Sequence, residues 1–275
     1  MERTIDAGTT RIMPRGVRVA DMSQVEMDSP FTGKYARDFE LWSEYFDSEP
    51  GLQAIRDHVD LDGHRVLDAG CGTGRLAFRL VPHADRVVGI DIHPDLIDLS
   101  QERMAEYCPE RCGELRFEVG TVTDLPYPDG YFEIVVDGWT LSTVDDLTGA
   151  IAEYERLIPP GGALVSIQQG NDSEYLDLLR EFAPTGGDGD DPEELLRKRL
   201  ADRLGEPAVS VSVRADNEYP AVPIARDAVA FNLESLLGID LDAGDRERLT
   251  DRLHAFETDE GVHIEEHSTL RVYGI

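Results

Sequence analysis

The chain has 275 residues, and 56 acidic side chains against 26 basic ones give a formal charge of −30 at pH 7. Hydrophobic residues make up 41% and recur in runs such as Ile134-Val135-Val136, which excludes an acidic disordered chain. No run approaches the roughly 20 apolar residues of a membrane span, and the charged N-terminus lacks the apolar core of a signal peptide, so a cytoplasmic protein is expected. Only Lys34 and Lys198 among the basic residues are lysine. Excess acid with arginine in place of lysine is the composition of a surface adapted to molar salt, where a Debye length of about 3 Å screens self-repulsion. Cys71, Cys108 and Cys112 are too few for a disulfide framework. Cys108 and Cys112 have no second pair to complete a metal site, so they read as solvent-facing or half-buried thiols at a helix end, and no metal is expected.

Residues 1–30 scatter four arginines among Gly, Thr and Pro without a period, and read as an arm that is ordered only where it docks. Across 33–47 the residues Phe39, Trp42 and Phe46 fall at helical spacing, which predicts an amphipathic helix. A short helix over 52–59 and a turn at Asp62-Gly63 follow. Strands are then expected over 65–68, 86–90, 115–119, 132–137 and 163–168. Helices are expected over 76–81, from Pro94 to about 107, and over 144–157, the last ended by Pro159-Pro160-Gly161-Gly162. Continuous apolar strands alternating with helices mean a parallel sheet covered on both faces. Beyond 170 the rhythm changes to helices over 172–182 and 193–204, separated by a Gly/Asp-rich loop over 184–192 that reads as solvated rather than calcium-binding. A strand over 209–213, helices over 226–237 and 243–256, and a closing strand over 262–273 complete the pattern.

The chemistry concentrates in Asp68-Ala69-Gly70-Cys71-Gly72-Thr73-Gly74-Arg75, where a strand runs through alternating glycines into a helix. Glycine lets the backbone bend tightly and admits a ligand where a Cβ would block it. The dinucleotide fingerprint would place its third glycine at position 75, which is arginine, and a phosphate loop would need a lysine that is absent here. Asp68 would repel a pyrophosphate but suits an amino group. A zwitterionic ligand is therefore favoured over a diphosphate.

This stretch resembles the first motif of class I S-adenosylmethionine-dependent methyltransferases. The resemblance continues in order through Val87-Val88-Gly89-Ile90-Asp91, then 120–129, 132–144 and the Pro-Gly-Gly turn within 157–164. It covers 35–169 well and the remainder more loosely, in the manner of the small-molecule branch. It implies S-adenosylmethionine as cofactor, with Gly70, Cys71, Gly72 and Gly74 around its amino-acid part, Asp68 orienting that part, Asp91 on the ribose hydroxyls, and Ile92 on adenine. Asp91 stands 23 residues beyond Asp68 at a strand end, as ribose recognition requires, and is equally placed to cap the next helix. The family commonly has Gly-Asp-Ala where this chain has Gly120-Thr121-Val122, so Thr121 and the Val122 backbone are the adenine contacts expected, with Asp124 either substituting for the missing acid or serving as a turn residue. Asp137 is placed near the cofactor's sulfonium. Trp139, Tyr35 and Trp42 are substrate-side candidates, and Trp139 could alternatively fill the core below the lid. No histidine stands out as a general base; His93 lies at the cofactor end, and His263 and His267 read as structural.

The fold class implied is α/β: a Rossmann-like, seven-stranded, mostly parallel sheet with helices on both faces, the last strand antiparallel, and helical lid elements. Residues 1–30 form the arm, 31–169 the cofactor-binding core, and 170–275 a C-terminal part with a helical lid insertion and the final strands. The function implied is methyl transfer to a small-molecule acceptor at O, N or C. The alternatives are an RNA or protein methyltransferase and a non-catalytic S-adenosylmethionine-binding protein. A nucleic-acid partner would call for a basic face, and the basic residues cluster only in the arm and at Arg197-Lys198-Arg199.

Overall fold

The computed structural model describes residues 35–108, 110–111, 113–170, 172–182 and 192–275. The 1–30 arm, the Tyr35 side chain, Cys112 and the 184–191 part of the acidic loop lie outside the described residues. Two helices open the chain, α1 (Tyr35–Glu44) and α2 (Glu49–His58). The βα repeats follow as β1 (Arg65–Ala69), α3 (Arg75–Leu80), β2 (Arg86–Asp91), α4 (Pro94–Tyr107), β3 (Leu115–Val119), β4 (Ile134–Gly138), α5 (Leu147–Leu157) and β5 (Ala163–Gln169). The C-terminal part contains α6 (Glu174–Arg180), α7 (Pro192–Leu204), β6 (Val209–Tyr219), α8 (Val222–Phe231), α9 (Ala243–Leu253), β7 (Glu257–Thr258) and β8 (Gly261–Gly274).

Seven strands form one path in the order β3-β2-β1-β4-β5-β8-β6, and the two-residue β7 pairs with β8 beside it. The first five strands are mutually parallel, whereas β8 runs antiparallel to both β5 and β6. Strand alternation sorts the core into two layers. Val66, Ile134, Val136, Val165 and Ile167 face α2 and α3, while Leu67, Val135 and Leu164 face α5 and α7. Both sets are almost wholly buried, which is why these strands read as continuous apolar runs. A third apolar cluster joins α6, α8 and α9 to Val262 and Ile264 of β8. No helix among the described residues is long and apolar enough to cross a membrane.

Three local expectations are corrected. The strand foreseen over 209–213 continues to Tyr219, because Val213, Ala215, Asn217 and Tyr219 all turn inward along β8 despite the polar composition between them. The helix foreseen over 226–237 starts at Val222 and ends at Phe231, passing into a π-helical turn over Asn232–Leu236. Cys108 is buried, packing in the same cluster as Ala84 and Leu115 where the end of α4 closes on β3.

Candidate cofactor and acceptor site

β1 and β4 are adjacent, and β2 and β5 lie on either side of them, so the chain reverses direction across the sheet between β1 and β4. An open α/β sheet binds ligands at the carboxyl ends of its strands, at such a point. The loop after β1 carries Gly70, Gly72 and Gly74, all with positive φ, at 72°, 55° and 82°. A Cβ on Gly70 would overlap the Thr140 hydroxyl, and one on Gly72 would stand 3.0 Å from the Phe39 ring. The loop is anchored to β2 through Gly70 N and Cys71 N, which both donate to the Ile90 carbonyl, at 2.7 and 2.9 Å.

Asp68, the last residue but one of β1, is almost fully buried, and its Oδ2 has no partner among the described residues. Burial pushes its carboxyl up to about 7, the Ala77 amide offsetting part of the rise and Asp137 and Asp91 adding to it. A buried carboxylate oxygen without a donor is costly, and it marks a place for a ligand's N–H or ammonium. Asp91 ends β2 and bridges two turns: Oδ2 accepts from Gly72 N and Oδ1 from His93 N, both at 2.9 Å. Since His93 is the N-cap of α4, the carboxylate holds that helix start and the glycine loop together. Each oxygen keeps a further lone pair for a hydroxyl donor.

Beyond Asp91 the surface turns apolar. Ile92 and Val119, at the ends of β2 and β3, are 39% and 40% exposed, a patch of the kind a flat ring covers. Val122, two residues beyond Gly120, is buried with Ile90 and Leu125 in the other core layer. Thr121 Oγ1 lies 2.9 Å from Thr123 Oγ1, and Asp124 N donates to the Thr121 carbonyl at 3.2 Å. Asp124 lies exposed in this turn.

Asp137 differs from its expected place. It is wholly buried, with Oδ1 accepting from Leu141 N at 3.1 Å and Gln168 Nε2 at 3.0 Å, and Oδ2 from the Tyr154 hydroxyl at 2.8 Å. Desolvation raises its carboxyl to about 6, against these three donors. Such a group fixes the 138–141 turn from below and has little capacity left for a ligand. Trp139, the next residue but one, has φ 64°, strained for a side chain of this size. Its ring meets Phe46 edge-on at 4.9 Å, and its indole N–H is buried without an acceptor among the described residues.

α1 lies across this region. Trp42 packs on Phe39 at 5.4 Å and on Phe46 at 5.9 Å, and its Nε1 donates to the Tyr175 hydroxyl at 3.3 Å. Ser43 Oγ stands 3.3 Å from Thr73 Oγ1 of the glycine loop. These hydroxyl contacts, like Thr140, escape sequence reading because Ser and Thr carry no periodic signal. The histidines other than His93 stay outside: His263 lies 3.8 Å from Glu218, and His267 Nε2 2.9 Å from Glu265.

The segment from β1 to β5 matches the family model described as a methyltransferase domain, over residues 67–166. Demethylmenaquinone methyltransferase of Deinococcus radiodurans is 36% identical over 106 residues, covering 38% of this chain and 42% of that protein. The 2-phytyl-1,4-naphtoquinone methyltransferase of Synechococcus elongatus is 29% identical over 132 residues, 47% of this chain and 55% of its own length. The chain thus spans about half the length of the curated relatives it matches. Among solved structures, a Bacillus halodurans protein superimposes with a TM-score of 0.56 at 16% identity, over 83% of this chain and 99% of that one. Geranyl diphosphate C-methyltransferase of Streptomyces coelicolor gives 0.51 at 17% identity, over 82% and 77%. These likenesses extend the fold of the methyltransferase domain into the C-terminal part of the chain.

Proposed function

We propose that this chain is an S-adenosylmethionine-dependent methyltransferase acting on a small-molecule acceptor. The Asp68 carboxylate beside the glycine loop, with its Oδ2 unpartnered among the described residues, carries the reading, since it suits an ammonium and opposes a pyrophosphate. The relatives named for quinone substrates support a small acceptor. When bound, the cofactor supplies a methyl group made electrophilic by a sulfonium. Asp68 holds the ammonium, Gly70 to Gly74 admit the amino-acid part, and Asp91 accepts from the ribose hydroxyls. Ile92 and Val119 cover one face of adenine, and Thr121 with the Val122 backbone meets its edge. Cys71, buried and with its thiol held protonated by desolvation, packs beneath the loop and takes no chemical part. Phe39 and Trp42 on α1, with Phe46 just beyond it, exclude water, so alignment and desolvation drive an in-line displacement. Trp139 belongs to the acceptor side of this arrangement.

Calorimetry with S-adenosylhomocysteine tests the reading, with micromolar or tighter binding expected. Asp91→Asn should weaken that binding at least tenfold, because one ribose acceptor becomes a donor while a carbonyl oxygen remains for Gly72 or His93. Removing the side chain altogether would leave both of those amides unpaired and confuse loss of affinity with loss of fold. Unchanged affinity in Asp91→Asn would remove the ribose assignment, and absence of binding to the wild type would remove the function.

A further inference from the structure

β8 presents Val262, Ile264, Glu266, Ser268, Leu270 and Val272 to one face of the sheet, and all six are buried. A strand packed on a core should carry apolar residues at each of these positions. Ser268 and the charged Glu266, at 2% exposure, break the stripe, and Asn217, 1% exposed on the neighbouring β6, breaks that strand's stripe beside Glu266. Asn217 Nδ2 donates to Glu266 Oε2 at 2.7 Å, while Asn217 Oδ1 accepts from Asp47 N at 3.2 Å, just beyond the end of α1. Glu266 has no arginine in ion-pair contact among the described residues; its charged neighbour is Arg75, at the start of α3, whose guanidinium donates to the Phe46 carbonyl at 3.1 Å. That guanidinium lies 4.2 Å from the Phe46 ring centre and 5.7 Å from that of Trp139. The remaining groups that bear on Glu266 are the Gln169 amide at the end of β5 and the Tyr175 and Tyr219 hydroxyls.

We propose that Glu266, held by Asn217 beneath the α1 strap, is the proton acceptor for the methyl acceptor, and that this acceptor is a neutral, flat aromatic alcohol. The proposal rests on the methyltransferase reading. The rings of Trp42, Phe46, Trp139 and Phe231 supply faces and edges for an aromatic guest. Glu266 supplies one hydrogen-bond acceptor behind them, because Arg75, which touches Phe46 and Trp139, and Tyr175, which touches Trp42, both bear on it, and it would repel a carboxylate or phosphate. Burial raises the Glu266 carboxyl to about 7, near the pH at which a general base is most effective. In the transfer, the acceptor's O–H bond breaks and its proton passes to Glu266. The oxygen keeps the electron pair and forms the new bond to the methyl carbon, while the methyl's bond to sulfur breaks toward sulfur, leaving a neutral thioether.

The Asp47 contact ties the segment after α1 to Asn217 and so to Glu266, and Phe39 on α1 covers Gly72, so the same part of the chain borders both. Trp42 and Trp139 are the two tryptophans of the sequence, and their emission reports the site directly. The test titrates 1-naphthol, 1-methoxynaphthalene and 1-naphthoate into the full chain saturated with S-adenosylhomocysteine. Naphthol is expected to bind at least tenfold more tightly than the ether, which lacks the proton, and than the carboxylate. Glu266→Gln should abolish that preference while its calorimetric affinity for S-adenosylhomocysteine stays unchanged. If Glu266→Gln does not fold, the wild type serves alone: the preference for naphthol should be present at about pH 8.5 and lost at about pH 5.5, where Glu266 is already protonated. Equal binding of naphthol and its ether, or a preference that survives in Glu266→Gln or at the lower pH, overturns the proposal. Failure of the underlying reading is seen separately, as absence of S-adenosylhomocysteine binding.

Discussion

Asp68 shows at the scale of one residue how function is kept at the expense of stability. Its carboxyl is pushed up to about 7 by burial, so the folded chain binds a proton that an unfolded aspartate releases near 3.8. Protonation therefore supports folding fully below about pH 4, and that support is lost as pH rises toward 7. Asparagine at this position has no proton to lose. Asp68→Asn should melt at the same temperature as the wild type near pH 4 and on the order of 5 °C above it at pH 8, while binding S-adenosylhomocysteine at least tenfold more weakly. Thermal melts across that range check the first part and calorimetry the second. A variant that is less stable at pH 8 would mean that Asp68 is ionised and internally paired, contrary to its unpartnered oxygen.

Among the elements, the hinge of the site is the turn between β4 and α5, because Asp137 ties it to both. Tyr154 on α5 and Gln168 on β5 hold the Asp137 carboxylate, which in turn accepts from Leu141 N and so sets the path of the strained Trp139. Tyr154→Phe removes one buried donor to a carboxylate, a loss of about 1–3 kcal/mol. For a chain of this size the melting temperature should fall by about 2–4 °C per kcal/mol, with affinity for S-adenosylhomocysteine changed less than threefold. A large affinity loss without a fall in melting temperature would return Asp137 to the ligand. That Asp137 faces inward was not legible in the sequence, since an acid at a strand end looks the same whether it meets solvent, ligand or a buried tyrosine. By contrast, β1 and β4 are plain in the sequence because both bury apolar side chains in short uninterrupted runs, and the glycine loop is plain because its backbone geometry admits few other residues. The outer half of β6 was hidden by Arg214, Asp216 and Glu218, which point outward from an edge strand and mask the inward Ala215 and Asn217. Glu266 did carry a signal, a charge at an inward position of a period-two stripe, visible only once the strand's buried face is known.

For the whole molecule the charge of −30 remains to be accounted for, and the site absorbs few of the 56 acids. Many of the others are paired across elements at the surface, as in Arg252 with Glu181, Arg203 with Glu155 and Arg246 with Glu234, all partly exposed. Exposed pairs of this kind contribute about 0–1 kcal/mol each and are weakened by salt. If they governed stability, added salt would destabilise the protein. The unpaired excess acts in the other direction, because acids outnumber bases by more than two to one and repel each other over the roughly 10 Å Debye length of dilute buffer. At about 1 M salt that length falls to about 3 Å, which removes the repulsion between neighbouring surface carboxylates while leaving buried contacts such as Arg271 with Glu193 largely intact. The melting temperature should therefore rise with potassium chloride, most steeply below about 0.5 M where screening changes fastest, and hold its gain to molar concentrations. Sucrose at matched osmolality should reproduce little of the early rise, since it screens nothing. A melting temperature that is flat or falls between dilute buffer and molar potassium chloride would show that the surface pairs outweigh the excess charge, and that the acidic composition serves something other than a saline solvent.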